Sequence, residues 1–446
     1  MDDPYEVRQI TEDEFAAMYA IDEHAFHTPW PADPEIEHFR GRFEFDRSLG
    51  AFDGAVIAGS ACVFSMRLSV PGEVLPTAGV SGVSVLPVYR RRGILRSLMT
   101  RQLADIRHRG EAIAALWASE AGIYGRFGYG VASAVASFVI NHGDGRLAPG
   151  APSGTGSGLA LRVAEPKQAR QELAKVYDAM VRGRPGLLVR DDRWWDAVFY
   201  DPGYRREGRA PLRCLLAEDS SGPRGYALYA ASAHWDEDGI PDATITIREL
   251  VADCPAATAD LWRDLLNRDL TGEVVTWNRP VDDPLLYLLA DPRRARARFR
   301  DGLWIRLVDL PEALTQRRYA AAADVVIEVA DEICPWNAGR WRLRITAPSD
   351  ASGAPSDASG APSGASGAPS AAVDARSGTL TAQCERTDAP ADLSLPVAAL
   401  GAAYLGGTRL GALAGAGIIE ELRPGALAAV SAAMFWDPAP WCPMVF

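Results

Sequence analysis

Two short stretches hold residue types whose spacing suits chemistry. In VSVLPVYRRRGILRSLM (83–99) a valine-rich strand pattern ends at Pro87, three arginines and Gly93 follow, and a helical pattern begins. Glycine admits positive φ and close approach of backbone to a ligand. A helix N-terminus offers unpaired N–H groups and the positive end of its dipole. Together these predict an anion cradle suited to a pyrophosphate, with Arg90, Arg91, Arg92 and Arg96 adding charge. No G-K-[ST] is present, so the loop is not a Walker A motif. On composition alone, a solvated basic turn before a surface helix is an equal reading. The second stretch, SEAGIYGRFGYG (119–130), sets two tyrosines and a phenylalanine among glycines. A tyrosine there packs by default. It becomes a candidate proton donor only when taken with the first stretch.

Other chemistries are absent from the pattern. The histidines His24, His27, His38, His108, His142 and His234 form no H-E-x-x-H metal motif, and no G-x-S-x-G elbow marks a serine hydrolase. His27 is expected at the surface or in a capping role. The six cysteines are scattered with no C-x-x-C pair. The net charge of −12 argues against nucleic acid, whose phosphates want a basic face. It is compatible with a cationic ligand, or with solubility alone. Asp22, Glu23, Asp33 and Glu35 are candidates to line a cationic pocket, the alternative being a solvated helix face. The N-terminus lacks a secretory h-region and no run of about 18 apolar residues occurs. The expectation is a cytoplasmic protein with reduced thiols and no membrane contact.

The elements that must position these residues alternate in type. A chain of 446 residues suggests about three domains. Strand patterns at GAVIAGSACVFSMRLSV and VLPTAGVSGVSVLP precede a helix in which Ile94, Leu95, Leu98, Met99, Leu103 and Ile106 share a face. AIAALWA and VASAVASFVI read as further strands, giving a mixed α/β pattern. GDGRLAPGAPSGTGSG (143–158) reads as an interdomain linker. Beyond it the strand–loop–helix unit recurs as ATITIRELVADCPAATADLWRDLLNRD, whose loop lacks both the arginines and the glycine. This predicts a duplicated domain in which only the first copy kept the anion site. The last part has strand patterns at GLWIRLVDL, DVVIEVAD and RWRLRIT, then helical stretches at LSLPVAALGAAYLGG and LRPGALAAVSAAMF. The Ala/Pro/Ser/Gly repeat at 347–370 has nothing large to bury and is read as a disordered insertion.

V-x-V-x-P-x-x-R-x-x-G-x-L followed by I-Y-G-R-F-G-Y resembles the GCN5-related N-acetyltransferases (GNATs), and nearly the whole chain resembles the Eis family. The resemblance implies an α/β (α+β) chain of tandem GNAT domains. Residues 1–150 would be the catalytic copy and 151–300 a degenerate one. Residues 301–446 would form a sterol-carrier-like domain. It implies acetyl-CoA as cosubstrate and no metal. Val83, Ser84 and Val85 would meet the pantetheine arm. Arg91, Arg92, Gly93, Ile94, Leu95 and Arg96 would bind the pyrophosphate, largely through backbone amides. Ser119 and Glu120 would line the cofactor further along. Tyr124 would be the general acid that protonates the leaving thiolate, with Tyr129 the competing candidate, expected to pack. Leu95 stands where many GNATs carry Gly or Ala.

The resemblance further implies that the carboxylate of Phe446 is the general base. The final residues WCPMVF are apolar, and Trp441, Met444, Val445 and the Phe446 ring are expected to bury the tail and raise that carboxylate's pKa. Val445 replaces an acidic residue common in the family. The implied acceptor is a polycationic amine of the aminoglycoside type, and the implied assembly a hexamer. The rival readings are lysine acetylation of a protein partner, and a non-enzymatic lipid or sterol carrier.

Overall fold

The computed structural model describes residues 5–27, 33–154, 158–347 and 380–446. Nearly all of the 347–370 repeat lies outside the described residues, as do 155–157 of the segment read as a linker. The described part of that segment is held to the second domain. Ala148 N–H donates to Leu288 O at 2.7 Å and Gly154 N–H to Asp260 Oδ2 at 2.8 Å.

Strand β1 (Glu6–Gln9) is followed by helices α1 (Phe15–Phe26) and α2 (Asp33–Arg40). Strands β2 (Leu49–Asp53), β3 (Val56–Val70) and β4 (Glu73–Val85) then form an antiparallel meander. Helix α3 (Ile94–His108) crosses over to β5 (Ile113–Trp117), which runs parallel to β4. The predicted stripe of α3 is buried at Ile94, Leu98, Met99, Leu103 and Ile106, with Leu95 half-buried. A one-turn helix α4 (Ala121–Tyr124) and the short β6 (Gly130–Val131) follow.

The next strands do not keep to the divisions expected at 150 and 300. Strand β7 (Ala134–Asn141) leaves the first sheet and joins the second. That sheet contains β8 (Ala160–Ala164), β9 (Arg213–Asp219), β10 (Gly222–Ser232), β11 (Ala243–Ala252), β12 (Thr271–Pro280) and β13 (Arg298–Asp301). Its helices are α5 (Arg170–Val181), α6 (Asp192–Val198) and α7 (Pro255–Leu266). Strand β14 (Leu303–Leu307) returns to the first sheet between β5 and β6, antiparallel to both. The apolar patterns of VASAVASFVI and GLWIRLVDL report burial, and burial alone does not say which sheet a strand joins. All five residues of β14 are buried because it has a strand on each side and a third layer on its face.

That layer belongs to a third unit, a five-stranded sheet of β15 (Ala323–Ala330), β16 (Gly339–Thr346), β17 (Thr381–Arg386), β18 (Leu393–Pro396) and β19 (Glu420–Glu421). LSLP is thus a strand rather than the start of a helix, and the helix begins at Val397 after Pro396. Helix Val397–Ala403 lies on β14 and β6 so closely that a Cβ on Gly401 would sit 2.3 Å from Ile305 O, and one on Gly130 2.0 Å from Ala398 O. Arg306 of β14 pairs with Asp331 at 2.7 Å, both fully buried, and Asn337 Nδ2 donates to the same carboxylate at 3.1 Å. Removing one partner strands a buried charge, which costs about 3–5 kcal/mol. Asp331→Ala should therefore lower the denaturation midpoint by that order, whereas Glu328→Ala, whose pair with Arg340 is exposed, should leave it nearly unmoved.

Candidate active site

β4 and β5 are paired only at Ala78–Ala114 and Gly79–Ala115. Beyond that point β4 runs on to Val85 and β5 to Trp117 without pairing to each other, so the sheet opens into a wedge. A bulge sharpens the opening: Gly82 and Val83 together oppose Ala61, with Gly82 in the left-handed region at φ 55°. Backbone groups on the facing edges are left to meet an extended ligand, as unpaired strand edges do.

At the mouth of the wedge is the arginine loop. Arg91 (φ 64°) and Gly93 (φ 90°) are both left-handed, which turns successive N–H groups inward as a nest. Gly93 caps α3 without any side-chain cap, and the first turn carries no acid. The N–H groups of the first turn therefore face outward as an anion site. Arg90 is tied back to Val85 O and Ala25 O, and Arg92 lies 5.3 Å over the Tyr89 ring. Arg91 and Arg96 are exposed and make no ion pair among the described residues. The predicted contacts of Ile94 reduce to its backbone, since its side chain is buried in the core with Leu98. Ser84 is likewise occupied, its Oγ lying 2.9 Å from Ser60 Oγ.

The wedge opens into a cavity of about 1060 Å³ between the first and second domains. Val83, Ser119, Tyr124 and Phe446 all line it. Glu120 does not; it is exposed at the N-cap of α4. Burial holds the Tyr124 phenol above its ordinary pKa, against a hydrogen bond from Ser119 that pulls the other way, so it stays protonated at neutral pH. Tyr129 packs edge-on to Tyr124 at 6.1 Å, wholly buried with no hydrogen-bond partner for its hydroxyl, which fits a packing role.

The C-terminal segment reaches this cavity by a route through the second domain. Where β11 and β12 part after Ile247–Thr276, an opening matching the first wedge would exist. The chain itself fills it. Arg279 Nη1 donates to Leu250 O at 2.7 Å, and the Trp441 ring lies 5.1 Å from the Arg279 guanidinium. Trp441 N–H donates to Pro185 O, and a Cβ on Gly186 would meet Trp441 backbone at 2.8 Å. Asn278, buried, accepts from Trp441 Nε1 at 3.1 Å and donates to Cys442 O at 3.0 Å. Trp117, at the end of β5, donates to Met444 O at 3.0 Å. Trp441 and Met444 are buried as expected, but Val445 is 52% exposed and does not anchor the tail. The strap is held by hydrogen bonds and by Trp441, not by every apolar side chain in it.

Of the acidic residues singled out, Asp22 lines the cavity. Its Oδ1 is buried without a hydrogen-bond partner, and burial raises its pKa to about 6 despite a hydrogen bond from Ser84. Glu35 pairs with Arg205 instead. His27 caps α1 at φ 55°. The second domain contributes Arg190, Trp194, Arg205, Arg248 and Glu249 to the walls. No motif announces them, because they face a cavity that exists only once two domains pack.

Residues 6–132 match an acetyltransferase (GNAT) domain model, residues 186–307 a second GNAT model, and residues 310–443 a sterol carrier protein domain model. With the splayed sheet and the arginine nest, these define an N-acetyltransferase of the GNAT class, a class that uses acetyl-CoA, followed by a sterol-carrier-type domain. The chain is 40% identical over 99% of both chains to an uncharacterized N-acetyltransferase of Streptomyces avermitilis. It is 34% identical to N-acetyltransferase Eis of Mycobacterium tuberculosis, over 82% of this chain and 80% of that one. The crystal structure of Eis1 from Mycobacterium abscessus superposes with a TM-score of 0.76 at 30% identity, covering 99% of this chain and 100% of that one. The chain belongs to the Eis family of N-acetyltransferases.

The raised pKa of Asp22 has a sign that can be checked. A folded value of about 6 against an ordinary 3.8 means that ionisation opposes folding. The stabilising contribution is full below about pH 4 and is lost as pH rises through 6. Asp22→Asn should thus be more stable than the parent at pH 8, by about 2–3 kcal/mol, with the difference vanishing toward pH 4 in denaturation midpoints.

Proposed function

We propose that the protein transfers an acetyl group from acetyl-CoA directly to an amine, with Tyr124 as general acid and the Phe446 carboxylate as general base. The observation that carries this reading is that Tyr124, on α4 at the wedge, and Phe446, more than three hundred residues later, line one cavity. Val83 to Val85 and the nest at 91–96 would hold the cosubstrate, Ser119 would orient Tyr124, and the two domains would exclude water from the reacting groups. The Phe446 carboxylate would take a proton from the attacking nitrogen as the new N–C bond forms. The Tyr124 hydroxyl would give its proton to the departing sulfur as the C–S bond breaks. A phenol kept neutral by burial suits that task.

A polycationic, aminoglycoside-type acceptor is the reading that kinship to the Eis proteins and a net charge of −12 favour. The cavity lining itself carries charges of both signs. A hexameric assembly is the expectation that the same family resemblance suggests. Among the described residues no helix is long and apolar enough to cross a membrane.

Tyr124→Phe should cut kcat by about 10²–10⁴-fold, the usual share of a general acid, with acetyl-CoA affinity near that of the parent by calorimetry. Unchanged kcat would move the acid elsewhere. Deleting Phe446, or extending the chain past it with a tag, should abolish CoA release while the melting temperature shifts little, because Asn278 and Trp117 grip the strap upstream. A tagged enzyme that turns over normally would remove the carboxylate from the mechanism.

A further inference from the structure

The cavity holds charges of both signs. Its lining carries five guanidinium groups, Arg42, Arg190, Arg205, Arg248 and Arg300, against the side-chain carboxylates of Asp22, Glu249 and Asp301 and the carboxylate of Phe446. Arg190 and Glu249 neutralise one another in a buried pair at 2.6 Å. Arg205 is met by Glu35, and Arg248 lies 3.5 Å from Asp201, which also serves Arg206. Arg42 and Arg300 make no ion pair among the described residues; Arg300 lies 4.6 Å over the Trp277 ring, while the Nε of Arg42 is buried without a hydrogen-bond partner.

Arg42 sits just past α2, where two aromatic rings flank it: Phe39 at 4.9 Å and Trp194 at 5.5 Å. Arg205 lies 5.7 Å from the same Phe39 ring, so two like charges contact one aromatic side chain. His38 stacks on Tyr200 at 3.7 Å beside them and joins α2 to the second domain. Burial and the adjacent Arg205 both push the Arg42 pKa down, and burial with Arg42 and Arg205 pushes His38 down. Of these neighbouring cations, Arg42 is the one with no carboxylate partner among the described residues, Arg205 being met by Glu35. A guanidinium, planar by its own bonding, presents a fork to an oxyanion.

We propose that the acceptor is an amine that also carries a carboxylate, which Arg42, flanked by Arg205 and Arg248, receives while the amine lies between Tyr124 and Phe446. The walls between the two ends are aromatic, with Phe64, Trp117 and Trp194 among them, so the body of the acceptor is apolar. This rests on the amine-acetylation reading for the amine end, but the anion subsite is testable without turnover.

The full-length protein with CoA bound is titrated calorimetrically with 4-(2-aminoethyl)benzoate and with the matched diamine 4-(2-aminoethyl)benzylamine. The amino acid should bind at least tenfold more tightly than the diamine. Arg42→Ala should shrink that preference about tenfold, and Arg42→Lys should restore part of it, with melting curves establishing that both variants fold. A preference for the diamine, or one that Arg42→Ala leaves intact, overturns the subsite. CoA release from acetyl-CoA is then followed with both amines. Release from the diamine with equal or greater kcat/KM overturns the subsite and leaves amine acetylation standing. Preferred binding of the amino acid with no release from either amine upholds the subsite and removes the acetylation reading.

Discussion

A base supplied by the last residue works only if the chain end is gripped, and the grip here is Asn278. One buried amide accepts from the Trp441 indole and donates to the Cys442 carbonyl, so its two ends fix both the ring and the direction of the strap. Leaving either group unmet would cost the desolvation of a buried polar atom. The contact lies in the opening between β11 and β12, the counterpart of the wedge between β4 and β5 in the first copy. The second copy lost its arginine loop, since Cys254 and Pro255 start α7 where Gly93 starts α3. Its wedge is instead filled by Arg279 and Trp441. A duplicated ligand cleft has become the socket for the chain's own tail.

The strand exchange serves the same end. β14 is hydrogen-bonded to β5 from Leu303–Trp117 to Leu307–Ile113, so the far edge of β5 is satisfied while its near edge parts from β4. Without β14, splaying would leave β5 short of partners on both sides. The buried Arg306–Asp331 pair and the close seat of helix Val397–Ala403 then lock β14 to the third unit. The wedge, the strap and the sterol-carrier-type unit are thus one mechanical system. Trp117 joins its parts directly, ending β5 and holding Met444.

What could be read beforehand divides along physical lines. The turn at Gly93 and the stripe of α3 were legible because local spacing and backbone demand encode them, whereas Tyr124 was singled out only through the family resemblance. The duplication was legible because a strand–loop–helix unit repeats. Sheet membership of β7 and β14 was not, because alternating burial is the same whichever sheet a strand enters. The walls given by Arg190, Arg248 and Trp194 were not legible either, since they arise from contact between domains. The tail was read as apolar throughout, yet Val445 is exposed; hydrogen bonding to Asn278 and Trp117 relieves it of any anchoring duty.

Net charge misleads most where function is local. An excess of twelve negative charges describes the surface as a whole, and at physiological salt its reach is about 8 Å. Inside the cavity the field comes from the groups that line it, in a medium where each charge counts for more. There Glu249 is paired with Arg190, whereas Asp22, Asp301 and the Phe446 carboxylate on one side, and Arg42 and Arg300 on the other, make no ion pair among the described residues. Asp22 and the Phe446 carboxylate are both able to meet a protonated amine. The cavity therefore offers both signs, with Asp22 and the Phe446 carboxylate among its acids and Arg42, just past α2, among its cations. A ligand with charges of both signs, one at each end, satisfies such a site, and a ligand of one sign leaves half of it uncompensated.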